Sequence, residues 1–207
     1  AARALVEESR ESIASRLGAR PSEIIFTSGG TEADNLAIKG TVNNRDGAPR
    51  IVASGIEHHA VLDPILFLAE SGQVEVTWLE PDRCGHIAVG DLEQALERFG
   101  DEVALVSVMW ANNEVGTVQP IAELAAVARV RGVPLHTDAV QAAGHLPVDF
   151  AASGADLMTV SAHKLGGPMG IGALVARRDA RLSPLTHGGG QERQVRSGTV
   201  PEAAIRA

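Results

Sequence analysis

Two hydrophobic rhythms alternate along this chain. Short runs that are apolar at almost every position give way to longer segments with the spacing of a helix. The first kind predicts strands at Glu23–Thr27, Arg50–Ser54, Val74–Leu79, Val103–Met109, Val133–Thr137, Leu157–Ser161 and Ile171–Val175. The second predicts helices at Ala2–Leu17, Thr31–Gly40, His59–Ser71, Asp91–Phe99 and Ile121–Arg131, with a short one after Asp138. A nearly unbroken apolar run such as Val103–Met109 suits a strand covered on both faces, as in a parallel sheet. Strands alternating with helices of about ten residues imply βαβ units. The expected fold is α/β, a three-layer α/β/α domain with a mainly parallel seven-stranded sheet. No repeat, low-complexity stretch or internal boundary interrupts it, so residues 1–207 are expected to form one domain. Ligands of such sheets sit beyond the carboxyl ends of the strands, which directs attention to the residues just after each strand.

Composition narrows the function. Apolar residues make up 44% of the 207 and charged residues 21%, a globular balance that excludes disorder. Lys plus Arg is 18 against 26 Asp plus Glu, a net charge of −8. That acidity argues against nucleic-acid or membrane-surface partners. No apolar run approaches the roughly 20 residues that span a bilayer. A single cysteine, Cys84, excludes an internal disulfide and a multi-cysteine metal site. The composition suits a reduced, cytoplasmic compartment. Lys39 and Lys164 are the only lysines, so a mechanism that needs an amine has two candidates. The chain opens on Ala1 without a signal-like segment and closes on Pro201–Ala207, which reads like the start of a helix. A piece of a longer chain is expected.

The residues after the strands carry the chemistry. Ser28-Gly29-Gly30-Thr31 runs into a helix. The glycines allow an anion close to the backbone, the helix N-terminus offers free N–H groups, and Thr31 is placed to cap it. An ordinary capped βα turn uses the same residues, and no Gly-Lys-Ser/Thr comes after them to make a Walker A loop. Glu57-His58-His59 comes next. Neighbouring histidines diverge on a helix and are no metal pair, but one imidazole could stack on a planar ligand or simply face solvent. Asn112-Asn113-Glu114 suits hydrogen bonding to a ligand, or a turn bonded to its own backbone. Asp138 ends a segment that should be buried and needs a partner there. That partner is a protonated pyridine nitrogen, a metal, the next helix or a salt bridge. Lys164 lies just past an apolar strand and before Gly166-Gly167-Pro168. An amine there could condense with an aldehyde cofactor, and desolvation would keep it deprotonated. Ser161 and His163 would face a phosphate, while Lys39 sits mid-helix and is expected to face solvent. Last comes His187 to Thr199, whose Arg193 and Arg196, with the hydroxyls of Ser197 and Thr199, suit anion or carboxylate recognition or a solvated loop. All but this last group come directly after strands. Together they supply what pyridoxal 5′-phosphate (PLP) needs: a phosphate cradle, a stacking histidine, a carboxylate and a lysine.

With these residues in view, the sequence resembles the cysteine desulfurases. These are PLP enzymes of the class V aminotransferase group with the aspartate-aminotransferase fold, and the branch that feeds iron–sulfur cluster assembly is the nearest in pattern. The resemblance rests on Ser28-Gly29-Gly30-Thr31-Glu32-Ala33-Asp34-Asn35, Glu57-His58-His59-Ala60-Val61-Leu62, Asn112-Asn113-Glu114-Val115-Gly116, Asp138-Ala139-Val140-Gln141, Ser161-Ala162-His163-Lys164 and Arg196-Ser197-Gly198-Thr199. It implies that Lys164 and His58 are the catalytic pair, Lys164 holding PLP and moving protons and His58 stacking on the ring. It implies Asp138 at the pyridine nitrogen and Asn113 and Gln141 at the phenolic oxygen. Gly30, Thr31, Ser161 and His163 would hold the phosphate, and Thr199 would reach the phosphate of a second subunit in a homodimer. No metal is implied. The substrate would be L-cysteine and the product alanine, with the sulfur passing to an enzyme cysteine and then to an iron–sulfur scaffold or other acceptor.

The pattern departs from the family in what it lacks. The persulfide-forming cysteine and the carboxylate-binding arginine lie beyond the Arg-Ser-Gly-Thr motif in the family, and an N-terminal segment precedes it. The chain is therefore expected to be the PLP-binding large domain without its small domain. Cys84, in a helix-to-strand region, is read as a bystander. Other class V enzymes, such as a selenocysteine lyase or an aminotransferase, share the same PLP parts, and a non-catalytic scaffold would need neither Lys164 nor Asp138.

Overall fold

The computed structural model describes every residue except 1, 46 and 48. The expected strands form β1 (Ile24–Thr27), β2 (Arg50–Ser54), β3 (Glu75–Leu79), β4 (Val103–Ser107), β5 (Leu135–Asp138), β6 (Leu157–Ser161) and β7 (Gly172–Ala176). Their order across one sheet is β1-β7-β6-β5-β4-β2-β3. The β2–β3, β2–β4, β4–β5 and β5–β6 pairs are parallel, and β7 runs antiparallel to both β6 and β1. The carboxyl ends of all strands but β7 therefore share one edge.

The helices are α1 (Ala2–Arg16), α2 (Gly30–Val42), α3 (His59–Glu70), α4 (Val89–Phe99), α5 (Ile121–Val130), α6 (Phe150–Ser153) and α7 (Glu202–Arg206). Alternation within the strands explains the layers. Ile24, Phe26 and Val52 point to a core shared with Leu92 and Leu96 of α4 and Leu124 of α5. Ile25, Ile51 and Ala53 point to the opposite core, with Leu36 and Ile38 of α2 and Ile65 of α3. A sheet apolar on both faces needs a helical layer on each, which is the three-layer arrangement expected.

Several boundaries differ from the sequence reading, for local reasons. β4 stops at Ser107, because the Met109 N–H turns to the Glu57 carboxylate at 2.6 Å. The short helix expected after Asp138 is not formed. Asp138 Oδ1 accepts the Val140 N–H at 2.8 Å, and the chain passes through successive turns that include Gly144, at φ +78°. Thr31 is not a cap either: α2 begins at Gly30, with Gly29 as an N-cap that has no side chain to offer. Cys84 lies in the turn from β3 to α4, strand to helix rather than helix to strand.

A close approach sets the start of α2. A methyl group on Gly172 of β7 would meet Gly29 backbone atoms at 2.7 and 2.8 Å and the Val160 carbonyl oxygen at 2.8 Å. Gly172→Ala is accordingly expected to cost about 1–3 kcal/mol in a urea melt and to displace the Gly29–Gly30 turn. A melt equal to wild type would contradict this.

Candidate active site

The loops at the carboxyl edge close around a cavity of about 270 Å³. Gly30 and Thr31 come from the start of α2, His58 from the β2–α3 turn and Asn113 from the loop after β4. Asp138 and Gln141 come from the end of β5, and Ser161, His163 and Lys164 from the end of β6. Nine of the ten residues singled out from sequence thus meet in one place. Thr199 does not line this cavity; it is exposed near the C-terminal end. Three larger cavities exist among the described residues: one between α1 and the chain end near Ala207, one at the opposite sheet edge among Arg129, Arg177 and Asp156, and one of about 430 Å³ between α2 and α3 that shares Thr31 and His58 and is lined by Lys39. The first two contain no lysine, and the third has neither Asp138 nor the residues at the end of β6.

Each side chain has a local reason for its position. His58 is the N-cap of α3, and its Nδ1 accepts the Ala60 N–H at 3.0 Å. That bond leaves Nε2 as the ring's donor. His59 diverges from it and pairs with Asp63 at 3.0 Å in solvent. Of the two asparagines, Asn112 is structural: its Oδ1 accepts the N–H groups of Glu114 and Val115, and its Nδ2 donates to the Ile56 carbonyl at 2.8 Å. This leaves Asn113 at the cavity. Ser161 Oγ and His163 Nδ1 are 2.9 Å apart. Lys164 ends a 3-10 turn and is exposed. The expectation of a desolvated amine is therefore not met: the whole stretch 163–166 after β6 is exposed. Lys39 is half-buried instead of solvent-facing, with Nζ 5.0 Å from the Phe67 ring centre, and does not line the cavity.

The floor of the cavity is acidic and buried. Asp34 and Asp138 line it, and Glu57 lies beside them, all buried. Burial, and the charge of Asp34, push Asp138 up to about 7. Burial pushes Asp34 up to about 7 and Glu57 up to about 8, against the hydrogen bond from Ser54 and that from the Met109 N–H. Burial pushes His136 down to about 4, so it stays neutral and offers no compensating charge. Both Asp34 oxygens and Glu57 Oε2 lack a hydrogen-bond partner. Among the described residues no lysine or arginine pairs with any of the three.

These features fit a ligand that brings its own cation and its own anion. Asp138 offers a carboxylate to a protonated ring nitrogen. The first N–H groups of α2 have no helical partner and no side-chain cap. With Thr31, Ser161 and His163 beside them they suit a phosphate. PLP has both groups, and Lys164 stands at the same cavity.

The carboxylate floor also predicts a pH dependence without any ligand. Folded Asp34, Asp138 and Glu57 hold protons that the unfolded chain releases near pH 4, so the native state binds more protons between about pH 4 and 8. Stability should then be greatest at the acid end of this window and fall as pH rises through about 7 to 8. Urea melts of the ligand-free chain at pH 5 and pH 8, taken as about the two ends of the window, check this; greater stability at the higher pH would contradict it.

The structure also brings in residues that sequence reading leaves out. Asp34 and Glu57 stand out in the sequence only as members of motifs, and His136 only as a neighbour of Asp138. Their shared burial arises between α2, β2 and β5 and leaves no local signal. The Gly188–Thr199 segment does not use its arginines as a free anion site. Arg196 Nε donates to Glu32 Oε1 at 2.8 Å, and Arg193 lies against the Ala176 carbonyl at 3.4 Å. Its anchor is Glu192, which sequence reading misses. Glu192 accepts two bonds of 2.8 Å from the Arg10 guanidinium and one of 2.9 Å from the Phe26 N–H. Cys84 is exposed and outside the cavity, but its turn is tied to the loop that carries Asn113, with Thr117 Oγ1 donating to the Cys84 carbonyl.

Comparison with known proteins agrees with this geometry. The model of the aminotransferase class-V family matches residues 1–204. The IscS-like cysteine desulfurase of Mycobacterium tuberculosis is 57% identical over 207 residues, 98% of this chain and 52% of that protein. The cysteine desulfurase IscS of Dictyoglomus turgidum is 47% identical over 204 residues, 98% of this chain and 51% of that protein. Among solved structures, SspA in complex with cysteine superposes with a TM-score of 0.94 at 42% identity, covering 99% of this chain and 59% of that one. DndA from Streptomyces lividans gives 0.89 at 42% identity, with 99% and 58% covered. The chain spans about half the length of the curated relatives it matches.

Proposed function

The chain belongs to the aminotransferase class-V family, and on that premise we propose that it is the PLP-binding large domain of a cysteine desulfurase. The observation that carries this reading is the buried Asp138 carboxylate, without a basic partner, on the floor of the cavity that Lys164 lines. Resemblance to cysteine desulfurases, and to a protein solved with cysteine bound, supports the substrate.

The roles follow from position. Bound PLP supplies a ring that takes up the electron pair left when a proton leaves the substrate Cα. Asp138 holds negative charge at the ring nitrogen and so keeps that nitrogen protonated. His58, fixed by its N-cap bond, stacks on the ring and presents Nε2–H. Asn113 and Gln141 donate to the phenolic oxygen, and the α2 N-terminus with Thr31, Ser161 and His163 holds the phosphate. Lys164 Nζ anchors the cofactor and moves protons, its exposure leaving it open to an incoming amino acid. In the whole protein L-cysteine becomes alanine, and its sulfur passes to a thiolate of the enzyme and then to an acceptor such as an iron–sulfur scaffold. The protein is read as a cytoplasmic homodimer in which Thr199 serves the partner's phosphate site.

The test begins with the chain itself. Incubation with PLP, borohydride reduction and peptide mass analysis should place the label on Lys164. A label on Lys39, or none on a chain shown to be folded, would overturn the assignment. In the full-length protein, release of sulfide from L-cysteine should be seen; keto-acid formation instead would indicate an aminotransferase.

A further inference from the structure

Asp34 has no place in these roles, yet it shares the cavity floor with Asp138. It sits in the second turn of α2 at 1% exposure, with both oxygens unpartnered. Its nearest charged or titratable contact is His136 Nε2, at 3.4 Å from Oδ1. His136 is itself held on both sides, Nδ1 at 2.9 Å from Ser107 Oγ and Nε2 at 3.1 Å from Thr159 Oγ1. The other titratable groups facing this floor are Glu57 from the β2–α3 turn, His58 at the start of α3, and His163 and Lys164 after β6. Asp138 differs from Asp34 in one respect: it accepts a backbone hydrogen bond, from Val140, at 2.8 Å.

Two carboxylates facing one buried volume cannot both ionise cheaply, so one of them retains a proton. The backbone donor favours the charged form of Asp138, whereas Asp34 has only the Thr159 hydroxyl nearby, which lies outside hydrogen-bond geometry for both oxygens and is engaged with His136 Nε2. We propose that Asp34 is a positioning residue for the cofactor ring: it holds the proton of a two-carboxylate pair, so that Asp138 alone presents negative charge to the ring nitrogen. This rests on the PLP reading. A neutral Asp34 that donates to His136 Nε2, 3.4 Å from its Oδ1, makes that nitrogen an acceptor and selects the His136 tautomer with its proton on Nδ1, pointing at Ser107. Burial raises both carboxyl groups into the neutral range, consistent with one shared proton. When pH rises and Asp34 ionises, a second negative charge enters beneath the ring. The site then holds any proton on the cofactor more tightly.

Two measurements on the whole chain test this. Without cofactor, the infrared carbonyl stretch of a neutral buried carboxylic acid should be present near pH 7, and Asp34→Asn should remove one such band. With PLP bound, the visible absorbance of the chromophore is titrated. Asp34→Asn cannot acquire the second charge, so its midpoint should fall by at least about half a pH unit, roughly threefold in the dissociation constant. The borohydride label should stay on Lys164. A band that survives the substitution, or an unchanged midpoint in a folded variant with PLP bound, overturns the proposal. If the asparagine protein does not fold, Asp34→Ser serves for both readouts, and absence of any neutral-acid band in the wild type is itself decisive against. A folded wild-type chain that takes up no PLP overturns the functional reading and the ring-facing part of this one. The infrared comparison still decides where the proton sits.

Discussion

Asparagine in place of Asp138 is expected to weaken PLP binding by about 100-fold while making the ligand-free chain more stable above pH 7. The first effect follows from removing one partner of a buried charge pair, which costs about 2–5 kcal/mol. The second has the opposite sign. Asp138 is raised to about 7 in the folded state, so at alkaline pH the native chain carries a charge it has desolvated without a protein cation to meet it. Below about pH 4 the carboxyl is protonated in both states and the stabilisation should vanish. Fluorescence titration with PLP, together with melts on both sides of neutrality, reads the two effects separately. Equal affinity for the two proteins would remove Asp138 from the cofactor site. A loss of stability at alkaline pH would mean that the carboxylate has a structural partner. Opposed effects at one residue are what a site built for a ligand should show.

Glu192→Ala is the substitution expected to harm the fold most. It strips the Arg10 guanidinium of a two-bond partner while that side chain stays buried, and it leaves the Phe26 N–H without its acceptor. Breaking one side of a buried ion pair costs about 3–5 kcal/mol, about 10 °C or more in Tm for a domain of this size. The exposed Arg131–Glu97 pair supplies the contrast. Glu97→Ala should change stability by no more than about 0.5 kcal/mol, because solvent screens that interaction. Similar losses in the two variants would mean that the Arg10–Glu192 contact forms no better a pair than one on the surface. Arg10 also lies 4.6 Å from the Phe26 ring centre, so Arg10→Lys, with its point charge and lost fork, should fall between the two.

Legibility varies with how local the physics is. β4 can be read at once because it is buried on both faces and therefore apolar at nearly every position. Strand-end placement then makes Lys164, Asp138, His58 and Gly30 candidates from the sequence alone. What sequence hides is of two kinds. The turn after Asp138 reads as a helix because its alanines suit one, and the competing Asp138–Val140 hydrogen bond cannot be told from an N-cap in sequence. The Glu192–Arg10 fastener and the Asp34–His136 contact join segments far apart in the chain, and in isolation each residue reads as an ordinary solvated charge. Exposure is hidden as well. Lys164 comes after an apolar strand, but whether it is covered depends on the course of the chain after it.

The position of β7 bears on how such a chain is made. β1, the strand that delivers the Gly29–Gly30 turn, is a sheet edge whose only strand partner among the described residues is β7, with Ile24 opposite Val175. During synthesis β1 must therefore wait for β7. At about 5–20 residues per second that delay is on the order of ten seconds. For that interval an apolar strand has no hydrogen-bonding neighbour, a state open to pairing with other chains. The Gly29–Gly30 turn is thus the last part of the cavity to be set in place. A cofactor that needs it can stabilise the finished domain but cannot guide the nascent chain toward it, and rescue of folding by PLP would act only after β7 has left the ribosome.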